Sequence, residues 1–169
     1  MKQQIEINES NKYNVVEIAK WVRQELKAHF KGFKFSVRVR DNRALYLSIL
    51  KSPIKLLRDV EEILADEQLI LRLQIARNDT EEEIKEMIKT RFANSKHEIN
   101  HYYINSDWEL TDNGKEIIKK INEIANKYNW DNSDTMTDYF DVNYYFHLCL
   151  GDWDKPFEDG KIKGDKNEN

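Results

Sequence analysis

A chain of 169 residues, 40% hydrophobic and 34% charged, with a formal net charge of -4, is long enough to bury one core without disulfide or metal staples. Its single cysteine, Cys149, excludes an internal disulfide, and no run approaches the roughly 18 apolar residues of a membrane-spanning helix. Residues 1–13 are polar with no apolar run behind their lysine, so the sequence reads as cytosolic, neither exported nor bound to a membrane.

The charge is unevenly spread. Residues 1–58 carry 13 Lys/Arg against 5 Asp/Glu, and residues 59–169 carry 14 against 26. A basic front and an acidic remainder make a polarised molecule where they form different faces, and cancel where they pack together.

In chain order, Val15, Ile18, Ala19, Val22, Leu26 and Phe30 recur at helical spacing, so residues 14–30 are predicted as a helix capped by Asn14 and ended by Gly32. Lys20, Arg23 and Lys27 make a basic stripe beside the apolar one. Residues 33–40 alternate: Phe33, Phe35, Val37 and Val39 on one face, Lys34, Ser36, Arg38 and Arg40 on the other. A second strand is expected over residues 44–50, joined through Asp41, Asn42 and Arg43. An odd-length turn pairs Val39 with Leu45, Val37 with Leu47 and Phe35 with Ile49. Burying those six together outweighs turn preference, so a three- or five-residue turn is predicted, leaving Tyr46 on the basic face.

Pro53 is expected to open a helix over residues 54–64. Residues 69–76 suit either strand or helix, and their good helix formers favour helix. Thr80 with Glu83 is a capping-box pattern before a helix to Phe92. Residues 53–93 thus read as a helical insertion with a partly acidic outer surface of Glu61, Asp66, Glu82 and Glu86. Residues 97–105 are expected as a third strand, and residues 111–127 as a helix with Ile117, Ile118, Ile121, Ile124 and Ala125 inward. From Phe140 to Leu150 the even positions are apolar or aromatic and the odd ones mostly polar, predicting a long central strand. Residues 158–169 are charged and poor in apolar residues, the composition of a disordered tail. The expectation is a single α+β domain over residues 1–157. Its mostly antiparallel four-stranded sheet has helices on one face and the helical insertion between strands two and three.

Three constellations bear on chemistry. His97-Glu98-Ile99-Asn100-His101 matches the zincin string, which works on a helix; in a strand, histidines four apart stand about 13 Å from each other, too far to share one zinc. His147 and Cys149 share a strand face, but a half-buried cysteine beside a histidine is more often packing than a nucleophile. Asp131, Asp134, Asp138 and Asp141 lack the glycine and terminal glutamate of a calcium loop. No phosphate-cradling glycine loop occurs. The reading is therefore no catalytic residue, no metal and no cofactor.

Leu110-Thr111, Asn129-Trp130-Asp131, Ser133-Asp134, Met136 to Phe140 and Trp153 to Phe157 resemble the large polyvalent protein associated domain family, the twenty-ninth of its series. Phe30-Lys31-Gly32, Phe35-Ser36-Val37, Asn100 and Tyr102-Tyr103-Ile104 resemble it too. The resemblance covers residues 14–51 and 97–157, with the acidic stretch between them unmatched. It implies a protein of phages or conjugative elements that protects incoming DNA, and carries no catalytic residue with it.

Two functions from different classes follow. The first is an accessory protein that binds and inhibits a host defence protein, a CRISPR effector among the candidates, through shape and the acidic surface. The second is a module that binds DNA or RNA through Lys20, Arg23, Lys27, Lys34, Arg38, Arg40 and Arg43, with Tyr46 stacking on bases. A hydrolase built on His97, Glu98 and His101, or on Cys149, is the reading the strand context disfavours.

Overall fold

A computed structural model describes residues 13–131, 133, 134, 136, 137 and 141–160. The side-chain oxygen of Asn14 accepts from the Val16 amide at 2.8 Å and starts α1 (Val15–His29), whose Val15, Ile18, Ala19, Val22 and Leu26 are buried. Gly32, with φ 83°, turns the chain into β1 (Lys34–Arg40). β2 (Ala44–Lys51) returns antiparallel with Val39 opposite Leu45, Val37 opposite Leu47 and Phe35 opposite Ile49, the register the face argument requires. The turn has three residues. Asp41 and Asn42 take the left-handed backbone that short polar side chains tolerate, and a bulge sits between Lys34 and Phe35.

Residues 52–59 depart from the expected helix over 54–64, of which only α2 (Val60–Leu64) forms. The stretch before it is extended because its amides find better partners far along the chain. The Asp159 carboxylate accepts from Leu56 at 2.7 Å and Leu57 at 3.0 Å, Leu57 bridges Leu110, and the Thr111 amide donates to the Leu56 carbonyl at 2.8 Å. α3 (Glu67–Arg77) is helical, as its helix formers predict. α4 (Glu81–Ala93) starts at Thr80 with both bonds of the capping box made to Glu83. Ile63, Leu69, Ile70, Ile84 and Ile88 form a small core of their own among these three helices.

The third strand is shorter than expected: β3 covers His97–Ile99 only, and the carbonyl and side chain of Asn100 fold residues 100–103 into a turn. A 3-10 turn, Ile104–Ser106, leads toward α5 (Asp112–Asn126), capped by Thr111. β4 (Tyr145–Leu150) is central, in the sheet order β1-β2-β4-β3. It begins later than the alternation suggests because Asn129 at the end of α5 bonds both the amide and the carbonyl of Tyr144, and Asn143 bonds the Tyr128 carbonyl. Phe140, where the alternation starts, lies outside the described residues.

The sheet is mixed, not mostly antiparallel: β4 runs parallel to β2 and antiparallel to β3. A parallel pair needs a long crossover, which residues 52–144 supply. The fold is thus a mixed α+β domain with, among the described residues, a four-stranded sheet and five α-helices. Ile18, Val22 and Leu26 of α1 and Ile118 and Ile121 of α5 share one core with Val37, Leu45, Leu47, Ile49, Phe146 and Leu148. Each such fully buried side chain contributes about 1.5–3 kcal/mol. Glu158 is tied to the end of β2 through the Leu50 carbonyl and the Ser52 amide, and Asp159 caps residues 56 and 57, so the charged stretch after Phe157 is stitched in as far as it is described. Among the described residues no helix is long and apolar enough to cross a membrane.

Candidate functional site

With α1 and α5 on one face of the sheet, the alternate residues of each strand make a second face. β1 supplies Ser36, Arg38 and Arg40, β2 supplies Ala44, Tyr46 and Ser48, β4 supplies Tyr145, His147 and Cys149, and β3 supplies Glu98. The register sets Arg38 opposite Tyr46 and Tyr46 opposite His147. The Tyr46 and His147 rings stack at 4.3 Å with 7° between their planes, and the Arg40 guanidinium stands 5.4 Å from the Tyr46 centroid. Arg40 and Tyr145 are exposed and Tyr46 and His147 half-buried, so three planar groups from three strands form a row open to solvent.

A cleft of about 630 Å³ extends from His147 past Asn100 and His101 to Arg91, Lys96 and His97. His101 has left the strand by this point, with its ring 5.1 Å from Phe146 and 4.1 Å from Tyr102. Burial, with a smaller effect from nearby His147, lowers its pKa below the ordinary histidine value.

The other end of this face is closed. Gly151, with φ 76°, reverses the chain so that buried Asp152 accepts from Arg38 at 2.6 Å. Cys149 is buried and its thiol is pushed up to about 11, chiefly by burial, which removes the thiolate a nucleophile needs. The zincin string is not on a helix: His97 is buried beside Glu109, Glu98 points to the opposite sheet face, and His101 lies past the strand. Among the described residues no group of three or more His, Cys, Asp and Glu is placed to hold a metal ion. Asp138 of the acidic cluster lies outside those residues.

The seven basic residues divide between two faces of β1, which is an edge strand. Arg23, Lys27 and Lys34 line a cleft between α1 and β1, where Arg23 also donates to the Val37 carbonyl at 2.6 Å. Lys20 is exposed on α1. Arg38 and Arg40 lie on the open face and Arg43 in the turn beside it. Of the acidic residues, Asp66 serves the fold: it caps α3 through the Leu69 amide at 3.0 Å and pairs with Arg58 at 3.2 Å. Glu61, Glu82 and Glu86 are exposed. The same helical cluster exposes Leu71 (57%) and Ile75 (74%), one turn apart on α3.

His147 as the stacking partner of Tyr46 is the member of the row that reasoning from sequence passes over. The signal is present in the odd positions of β4, Tyr145 and His147, but it becomes spatial only once β4 is known to lie beside β2.

No curated protein and no solved structure matches the chain significantly. A family model does: its match takes in the helical stretch 53–93, which the resemblance left unmatched, and ends before Leu110. Large polyvalent protein associated domain 29 matches residues 13–109, more than half of the sequence, and the chain belongs to that family.

Proposed function

We propose that the chain is an accessory module of a mobile genetic element that acts in the bacterial cytoplasm by binding single-stranded nucleic acid across the open face of its sheet. The row Arg40, Tyr46 and His147 carries this reading. Tyr46 carries His147 on one face and the Arg40 guanidinium over its ring, so a base extends this row at its open end, against the outer face of His147, at about 1–3 kcal/mol, while Arg40 and Arg43 meet phosphates. Base pairs keep their faces stacked inside a duplex, so a platform of rings selects unpaired strands. The test is fluorescence anisotropy with labelled oligonucleotides of about 12 residues, DNA and RNA, single and double stranded, at about 50 and 200 mM salt. Micromolar or tighter binding of single strands is expected, weaker for duplexes, falling about 5–100-fold in Tyr46→Ala. Absence of single-strand binding at the lower salt rejects the reading.

A second reading rests on α3. Exposed Leu71 and Ile75, in a cluster that also presents Glu61, Glu82 and Glu86, suit a protein partner with an apolar groove rimmed by basic residues. On this reading the stretch 53–93 is a recognition insertion, and the partner is a host defence protein that the module inhibits. Reversing Glu61, Glu82 and Glu86 to lysine should abolish capture of that protein from nuclease-treated lysate. Capture that disappears on nuclease treatment alone assigns the contact to nucleic acid instead.

A further inference from the structure

The cleft between α1 and β1 encloses about 560 Å³ and is lined by Arg23, Lys27, Lys31 and Lys34 over Phe30, Phe33 and Phe35. The Phe33 and Phe35 rings are parallel, 5.7 Å apart and 6° between planes, and Phe30 meets both edge-on at 5.4 and 6.1 Å. Gly32 permits this, since its φ of 83° brings Phe33 back against the helix it follows. No carboxylate among the described residues lines the cleft. Among the described residues none of its four cations is ion-paired.

Three of the four cations have a local rationale. Lys27 suits the last turn of a helix, a lysine on an edge strand discourages pairing with other sheets, and Arg23 serves the Val37 carbonyl. None of these accounts for four like charges around one half-buried aromatic floor, whose mutual repulsion, screened by solvent and salt, falls further when an anion enters. A planar aromatic floor within a ring of cations fits a nucleotide, with the base against the rings and phosphates among the amines.

The geometry points to this cleft as a second nucleotide site, reached by a single strand that leaves the Arg40–Tyr46–His147 row and passes round the open edge of β1. This rests on the nucleic-acid reading above and deepens it: the bound strand wraps the edge instead of staying on one face. Lys34 and Arg40 stand about 20 Å apart along β1, a span within the footprint of a strand of about 12 nucleotides.

The test measures binding of a single-stranded oligonucleotide of about 12 residues over a salt series. It uses the wild-type chain, Tyr46→Ala, a Lys27→Glu/Lys31→Glu variant, and a Lys89→Glu/Lys120→Glu variant with the same change of charge on α4 and α5. The cleft variant should bind at least about tenfold more weakly, with a salt slope shallower by about one or more, while the α4/α5 variant stays within about threefold of wild type. All the substituted lysines are exposed, and circular dichroism verifies that each variant is folded. If Tyr46→Ala weakens binding but the cleft variant does not, or if both lysine pairs weaken it equally, the wrapped path is wrong while the sheet-face reading stands. If the wild-type chain binds no oligonucleotide, the sheet-face reading fails and the wrapped path with it.

Discussion

His97 and Glu109, both buried, meet with the imidazole Nδ1 3.3 Å from a carboxylate oxygen, and the second oxygen of Glu109 takes a hydrogen bond from the guanidinium of Arg91. This contact joins β3 to α4, and so the sheet core to the helical cluster. Removing one partner leaves buried polar groups unmatched, so Glu109→Ala should cost about 3 kcal/mol in urea unfolding. Glu109→Gln, which keeps an acceptor, should cost less. An alanine variant within about 0.5 kcal/mol of wild type would show that the junction holds without it.

Acid should act at two distinct stages. Burial alone would raise the Glu109 pKa, but the hydrogen bond from His97 and the charge of Arg91 more than reverse this and leave it lowered. Its contribution is complete above the ordinary glutamate pKa and is lost as pH falls through the folded value. His101 is also lowered, by burial and by His147. Below the ordinary histidine pKa the unfolded chain takes up a proton that the folded chain refuses, so stability begins to fall there first. His101→Gln should flatten the stability profile in the histidine window and leave the glutamate window unchanged, as read by melting temperature against pH. A slope in the histidine window that survives the substitution assigns it to another group.

Cys149 should resist thiol reagents in the native state. Its sulfur is buried and its pKa is raised to about 11, so little thiolate exists near neutral pH. Ellman's reagent should modify it at the rate of unfolding, rising sharply in denaturant. Rapid stoichiometric modification of the folded chain would contradict the burial.

Gly114 should respond against helix propensity. It lies in the first turn of α5, where alanine is ordinarily better by about 1 kcal/mol. A methyl group there would collide with the Leu56 carbonyl and the Thr111 hydroxyl, the contacts that pin residues 52–59 to the start of α5. Gly114→Ala should therefore lower the urea midpoint. A rise would mean that the extended segment moves aside freely.

Local rules made much of the fold legible. Asn14, Thr80 and Thr111 cap helices as their side chains allow, and Glu83 closes the capping box. The hairpin register followed from asking which residues must share a face, because a slip of one would have turned Leu45, Leu47 and Ile49 outward. What misled were segments whose partners are remote in sequence. Ile54 to Asp59 has helical spacing, yet Asp159 and Leu110 claim its backbone from more than 50 residues away. The direction of β4 relative to β2 was equally hidden, since alternation fixes faces and not neighbours. The row of Tyr46 and His147 depends on that pairing, so the aromatic half of the candidate site was only half visible.

Of the four described strands, β4, one of the two inner ones, is the last to be synthesised. Until β4 emerges, β2 has one open side and β3 has no partner at all, so the hairpin and the helical cluster can form early while the sheet cannot close. Completion waits for contacts spanning some 100 residues, a topology that folds slowly and leaves the apolar hairpin face covered only by α1 in the interim. The family-model match ends at residue 109, before this strand begins. A fragment cut at that boundary would lose α5 and β4, leaving the edge of β2 unpaired and Leu45, Leu47 and Ile49 covered by α1 alone, a surface prone to aggregation.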